Sequence, residues 1–194
     1  MAAVLGGRCG RDLDLDAAAQ AIVGYTILND WSARDLQLRE MQVGLGPAKG
    51  KDFASTLGPM LVTADELAPR NRDGFLDLRM RADVGSRTIG TDSLAQMAWS
   101  FPELVVYSSR GAPVVAGDVF GSGTCGGGCL AEMRGRFGPE AYNWLGAGDV
   151  VTLSVECLGT LRNRVVGPMT PPQPISSARR RTWDVGTPPA IVAP

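Results

Sequence analysis

Three features of this sequence predict a mixed α+β fold, rich in strands and carrying a few short helices. Twenty-five glycines and 13 prolines punctuate the chain of 194 residues. Between them lie short apolar and β-branched runs at Val62-Thr63, Leu76 to Met80, Val114 to Phe120 and Val150 to Val155. A small number of stretches instead show helical spacing.

Taken in order, Asp14-Leu15-Asp16-Ala17-Ala18-Ala19-Gln20-Ala21 opens on acidic residues that cap a helix and favour its positive end. Gly24 is read as its stop, with a strand following over Tyr25 to Leu28. The segment Leu28-Asn29-Asp30-Trp31-Ser32-Ala33-Arg34-Asp35-Leu36-Gln37 reads as a strand that ends at a polar pair and passes into a helix. On such a helix Asp30, Arg34 and Gln37 share one face at i, i+4 and i+7. A longer helical stretch runs from Asp92 to Ser109, with Leu94, Met97, Phe101, Leu104 and Val105 toward the core and Pro102 marking a kink or restart. Ala-Gly-Asp-Val occurs at 116–119 and again at 147–150, each time as a turn into a strand. A domain over residues 1–167 is expected, and a poorly ordered tail over 168–194, where seven prolines surround Arg179-Arg180-Arg181.

Composition excludes several functions. With 19 Lys+Arg against 20 Asp+Glu the net charge is −1, which provides no basic face for nucleic acid. No window approaches the roughly 20 apolar residues that cross a bilayer, and the N-terminus has no basic stretch before its apolar start, so a soluble cytoplasmic protein is expected. Four cysteines are too sparse for a disulfide framework, and Cys125 and Cys129 miss the usual zinc spacing. The chain contains no histidine, which removes Ser-His-Asp, Cys-His and His-Glu-x-x-His chemistry within it. Asp, Glu, Lys, Cys or a hard metal must carry any reaction.

The candidate chemistry lies on three polar clusters that follow strands. Asp30, Arg34 and Gln37 are either an exposed ion pair with a neighbour or a carboxylate, a guanidinium and an amide aimed into one cleft. Gly44-Leu45-Gly46-Pro47-Ala48-Lys49-Gly50-Lys51-Asp52-Phe53 imitates a phosphate loop, but Leu45 and Asp52 replace its required Gly and Ser/Thr. Gly121-Ser122-Gly123-Thr124-Cys125-Gly126 satisfies a dinucleotide pattern without the strand–helix alternation that a dinucleotide fold needs.

The segments LNDWSARDLQ, LGPAKGKDF and LGPMLVTADEL, followed by MAWSFPELVVYSSRGAPVVAGDVFGSGT and WLGAGDVVTLSVECLGTLRNRVV, closely resemble the C-terminal catalytic domain of the fumarylacetoacetate hydrolase family. The resemblance covers roughly residues 1–167. It implies a β-sandwich roll, a homodimer and a Mg2+ ion (or Ca2+ or Mn2+) chelating a small-molecule diketo or 2-oxo acid. The implied activity is hydrolysis of a carbon–carbon bond in a diketo acid, as in aromatic amino acid catabolism. By that resemblance Asp30 is a metal ligand with Lys51 and Ser55 beside it, Lys51, Arg34 and Gln37 are catalytic, and Arg34, Gln37 and Thr124 face substrate. Met41 stands where the family has an aromatic contact. The family's Glu-x-Glu ligand pair and its His base are expected upstream of Met1, so metal affinity in this chain alone is expected to be weak. Alternatives are decarboxylation of a 2-oxo acid or an isomerase or hydratase step on the same scaffold, and an inactive remnant or dimerising module.

Overall fold

The computed structural model describes residues 1–167, so the expectations for 168–194 lie outside the described residues. Ten strands and six short helices are described. Strands β1 (Ala2–Leu5), β2 (Ile22–Asp30), β3 (Ser55–Thr63), β6 (Arg79–Val84), β7 (Arg87–Ser93), β8 (Val119–Gly121), β9 (Val150–Val155) and β10 (Gly159–Arg164) form two four-stranded antiparallel sheets, ordered β3-β2-β1-β8 and β10-β9-β6-β7. A ribbon of β4 (Asn71–Arg72) and β5 (Phe75–Leu76) stands apart. The helices are α1 (Leu15–Ala21), α2 (Arg34–Glu40), α3 (Lys49–Asp52), α4 (Ala64–Leu67), α5 (Phe101–Ser109) and α6 (Leu130–Phe137). None of the described helices is long and apolar enough to cross a membrane.

Both sheets feed one apolar core, in which Leu5, Ile27, Leu78, Leu94, Val105 and Leu158 are fully buried. Burial of such side chains stabilises by about 1.5–3 kcal/mol each. Helices α1 and α5 close one side of it. The small Ala18 and Ala21 allow close approach, Ser109 accepts from the Leu13 and Asp12 amides at 3.0 and 2.8 Å through its hydroxyl and carbonyl, and Tyr25 packs on Phe101 at 5.5 Å between ring centroids.

Asp14 caps α1 as expected, its carboxylate accepting from the Ala17 amide at 2.8 Å. The stop is different. The helix ends at Ala21, and Gly24 lies inside β2, where a Cβ would stand 2.5 Å from the Val62 carbonyl oxygen. The glycine serves the close approach of β2 and β3, not the helix terminus.

The expected helix from Asp92 to Ser109 is also corrected. Asp92 and Ser93 still belong to the β6–β7 ladder, a single 3-10 turn covers Leu94–Gln96, and α5 begins only at Phe101. The Ser100 hydroxyl and the Glu103 carboxylate cap each other's backbone amides, and Pro102 falls in the first turn, where no intrahelical N–H is needed.

Two of the expected strand runs are broken as well. Leu76 to Met80 divides between β5 and β6, and only the end of Val114 to Phe120 is strand. Both Ala-Gly-Asp-Val segments are turns into strands. The Asp118 carboxylate accepts from the Val115 amide at 2.8 Å and the Asp149 carboxylate from the Gly146 amide at 2.7 Å, with Gly117 and Gly148 at φ +95° and +99°.

Candidate active site

A cleft of about 880 Å3 opens where the ends of β2 and β8 meet the inner face of the second sheet and the N-terminus of α2. Asp30, Ser32, Arg34 and Thr124 line it, from two parts of the chain that are far apart in sequence. Lys51, Gln37 and Ser55 lie outside the lining and reach it through their partners.

Asp30 is the last residue of β2 and Arg34 the first of α2, with an irregular Trp31-Ser32-Ala33 link between them. Asp30, Arg34 and Gln37 therefore do not share a helix face, and the expected i, i+4 pair does not form. Asp30 Oδ2 instead meets Lys51 Nζ at 2.5 Å, and the same ammonium donates to Ser32 Oγ at 2.8 Å. Arg34 Nη1 donates to Gln37 Oε1 at 2.6 Å, which fixes the guanidinium along its own helix, while Nη2 donates to Cys129 Sγ at 3.1 Å. Ser55 stands opposite Asp30 in the β2–β3 register. Trp31 Nε1 donates to Thr56 Oγ1 at 2.9 Å and ties the link to β3.

Thr124 sits in the loop after β8. The Gly126 amide donates to Asp92 Oδ2 at 2.6 Å, the Gly127 amide to Glu132 Oε2 at 3.1 Å and the Gly128 amide to the Cys125 carbonyl at 2.8 Å. These bonds hold the loop against β7 and α6. Cys125 also lines the cleft, but burial and then the nearby Asp92 carboxylate push its thiol pKa up, the wrong direction for a nucleophile. All four cysteines are free.

Sequence reasoning gave no site role to three further residues. Asn29 Nδ2 is buried without a partner among the described residues, and Asn29 lines the cleft. Trp144 forms part of the opposite wall with Leu145, and Arg134 stacks on its ring at 4.6 Å. Glu40, at the end of α2, accepts from the amides of Ala48, Lys49 and Gly50 at 2.8, 2.8 and 3.0 Å. Those bonds hold its carboxyl below the usual glutamate range. Asn29 carried a local signal as part of the polar strand end, and Glu40 carried one as the acidic position before Met41 in the family motif, but neither was given a site role.

Residues 1–166 match the fumarylacetoacetate (FAA) hydrolase C-terminal family. The chain belongs to the fumarylacetoacetate hydrolase family. Relatives in this family include the oxaloacetate tautomerase YisK of Bacillus subtilis, 31% identical over 163 residues that cover 84% of this chain and 50% of the relative. The fumarylacetoacetase of Arabidopsis thaliana is 30% identical, over 82% of this chain and 47% of its own length. The chain thus spans about half the length of these curated relatives. Among solved family structures, the fumarylpyruvate hydrolase of Pseudomonas aeruginosa in complex with Mn2+ and pyruvate superposes with a TM-score of 0.67 at 27% identity, over 85% of this chain and 63% of that one.

Membership in the fumarylacetoacetate hydrolase family raises the question of a divalent ion. A hard cation takes about six oxygen ligands, commonly one or two carboxylates completed by water and substrate. Here Asp30 and Asp35 line the cleft, and Lys51 is already on Asp30 Oδ2. Among the described residues no three His, Cys, Asp or Glu side chains converge. These residues by themselves do not make a complete metal site.

Proposed function

We propose that this chain is the catalytic domain of a hydrolase that cleaves a carbon–carbon bond in a diketo acid, taking a small 2-oxo acid or 1,3-dicarbonyl substrate. The convergence of Asp30, Arg34 and Thr124 at one cleft, with Lys51 held on Asp30, carries this reading. In such a cleavage, water adds to one carbonyl, the bond to the central carbon breaks, and the departing enolate takes a proton at carbon. Negative charge grows on the enolate oxygen, and cationic donors fixed before reaction lower its energy most.

Arg34, oriented by Gln37, fits the role of binding carboxylate and carbonyl oxygens. Lys51, aimed by its ion pair with Asp30, adds a second positive group beside the cleft. Thr124 and the Asn29 amide, which has no partner among the described residues, add neutral donors. The Mn2+ of the Pseudomonas aeruginosa fumarylpyruvate hydrolase supports a divalent ion, which this reading places at Asp30 as Mg2+ or another hard cation. Since the donors present are incomplete, none of these roles depends on the ion. A cytoplasmic homodimer is part of the same reading, supported by four free cysteines and by Leu57, Met60 and Leu61 standing about half exposed on β3.

A second reading, tautomerisation or isomerisation of a 2-oxo acid, is supported by the 31% identity to the oxaloacetate tautomerase YisK of Bacillus subtilis. Moving a proton next to a polarised carbonyl requires no activated water.

The test compares acetopyruvate cleavage with oxaloacetate tautomerisation in the presence of Mg2+ or Mn2+, alongside calorimetric titration with pyruvate. Arg34→Ala is expected to lower kcat/KM of the active assay by roughly 10²-fold, the scale of losing one preorganised oxyanion donor. Pyruvate binding and turnover unaffected by Arg34→Ala would overturn the assignment of the cleft.

A further inference from the structure

Helix α3 carries Lys51 and is four residues long, too short to persist by its own propensity. Its N-cap residue is Ala48, at φ −126° and ψ −88°, with no side chain able to accept a hydrogen bond. The first amides of a helix have no intrahelical acceptor and require one from elsewhere. Here it arrives from eight to ten residues upstream. Glu40 Oε2 accepts from the Ala48 and Gly50 amides and Oε1 from the Lys49 amide, so one carboxylate satisfies three consecutive donors.

The same junction is closed by two further contacts. The Ala33 amide donates to the Gly50 carbonyl at 2.9 Å. Gly50 lies so close to α2 that a Cβ would stand 2.8 Å from the Gln37 nitrogen. Between Glu40 and Ala48 the chain makes an exposed excursion, with Gly44 and Gly46 at positive φ and Leu45 almost fully solvated. Nothing within that excursion aims α3; the carboxylate at its base does.

We propose that Glu40 is a positioning residue, whose carboxylate clamps the start of α3 and thereby sets Lys51 Nζ on Asp30 and Ser32 at the mouth of the cleft. The side-chain hydrogen bonds of Glu40 among the described residues all go to the start of this helix. Its effect is transmitted as the angle at which α3 leaves the excursion. The proposal concerns the ligand-free protein, so it stands or falls independently of the reaction assigned to the site.

The chain has only two lysines, Lys49 and Lys51, which makes the test selective. Protein labelled with 15N at lysine Nζ gives two side-chain ammonium signals. Asp30→Asn identifies the Lys51 signal by shifting it, because Lys49 pairs with Asp52 instead.

In Glu40→Ala the Lys51 signal is expected to move toward that of a free lysine and to lose its response to Asp30→Asn, while the circular dichroism of the two sheets is retained. In Glu40→Gln one amide oxygen keeps part of the clamp, so an intermediate shift is expected; this milder variant also serves if Glu40→Ala does not fold. A merely structural role would lower the melting temperature without uncoupling Lys51 from Asp30. A Lys51 signal that keeps its position and its full Asp30 dependence in the folded Glu40 variants would overturn the proposal.

Discussion

Replacing Gly90 with alanine tests how the Thr124 loop is supported. Gly90 lies in β7, paired with Ala82, directly beneath the turn at Gly126-Gly127-Gly128. A Cβ there would stand 2.4 Å from the Gly127 carbonyl carbon, 2.6 Å from its oxygen and 2.7 Å from the Gly128 nitrogen. Carbon atoms in good contact are about 3.5–4.0 Å apart, so the loop must withdraw by roughly 1 Å. All three neighbours are backbone, and no side-chain rotation relieves the clash. Withdrawal also pulls the Gly126 amide from Asp92 Oδ2.

Overpacking of this kind costs about 1–3 kcal/mol. At ~2 kcal/mol the melting temperature of a chain this size drops by about 4–8 °C. Gly135→Ala is the control. Gly135 sits inside α6 with nothing within 4 Å of a Cβ, and the same added methyl should stabilise by about 0.5–1 kcal/mol. Thermal unfolding followed by circular dichroism gives both signs, and titration with pyruvate reads displacement of Thr124 in Gly90→Ala. If Gly90→Ala melts at or above the wild type, the close approach read from the backbone is wrong.

Leu158→Ala, at a fully buried position, should cost about 2–5 kcal/mol in urea unfolding. Ser100→Ala removes half of the capping box on α5 and should cost about 1 kcal/mol in the same measurement. Hydrogen bonds from the Ser100 amide and hydroxyl lower the Glu103 pKa, so the stability they confer is fully present above the ordinary glutamate pKa and is lost as pH falls through the lower folded-state value. Unfolding curves of wild type and Glu103→Gln should therefore differ at neutral pH and converge in acid; a constant difference at all pH values would contradict the capping geometry.

Local patterns were readable where a feature depends on neighbours in sequence. Asp14 caps the helix it precedes, and each Ala-Gly-Asp-Val opens a strand, because both are settled within a few residues. The family motifs likewise pointed to Asp30, Arg34 and Thr124, which the fold brings to one cleft. Readings failed where a distant strand decides. Gly24 answers to the Val62 carbonyl across the sheet, and Asp92 is held in strand by Met80. Asp30 turns to Lys51 instead of Arg34 because it ends a strand and does not begin a helix. Glu40 matched an acidic position of the family motif, just before Met41, but its role was not legible because its partners are backbone amides eight to ten residues ahead.

The β2–β3 hairpin and the excursion it encloses have a consequence for how the protein assembles. Asp30, Arg34, Gln37, Glu40, Lys51 and Ser55 all lie on the path from the end of one strand to the start of its partner. Contacts between residues so near in sequence incur little loop-closure entropy and form early. The charged half of the cleft can therefore be in place once this hairpin has zipped, whereas Thr124 arrives only when β8 joins β1 on the far side of the same sheet. Charge placement is thus a short-range event and cleft closure a long-range one. A lesion that slows docking of β8 would leave a chain with its cations already arranged and its cleft still open.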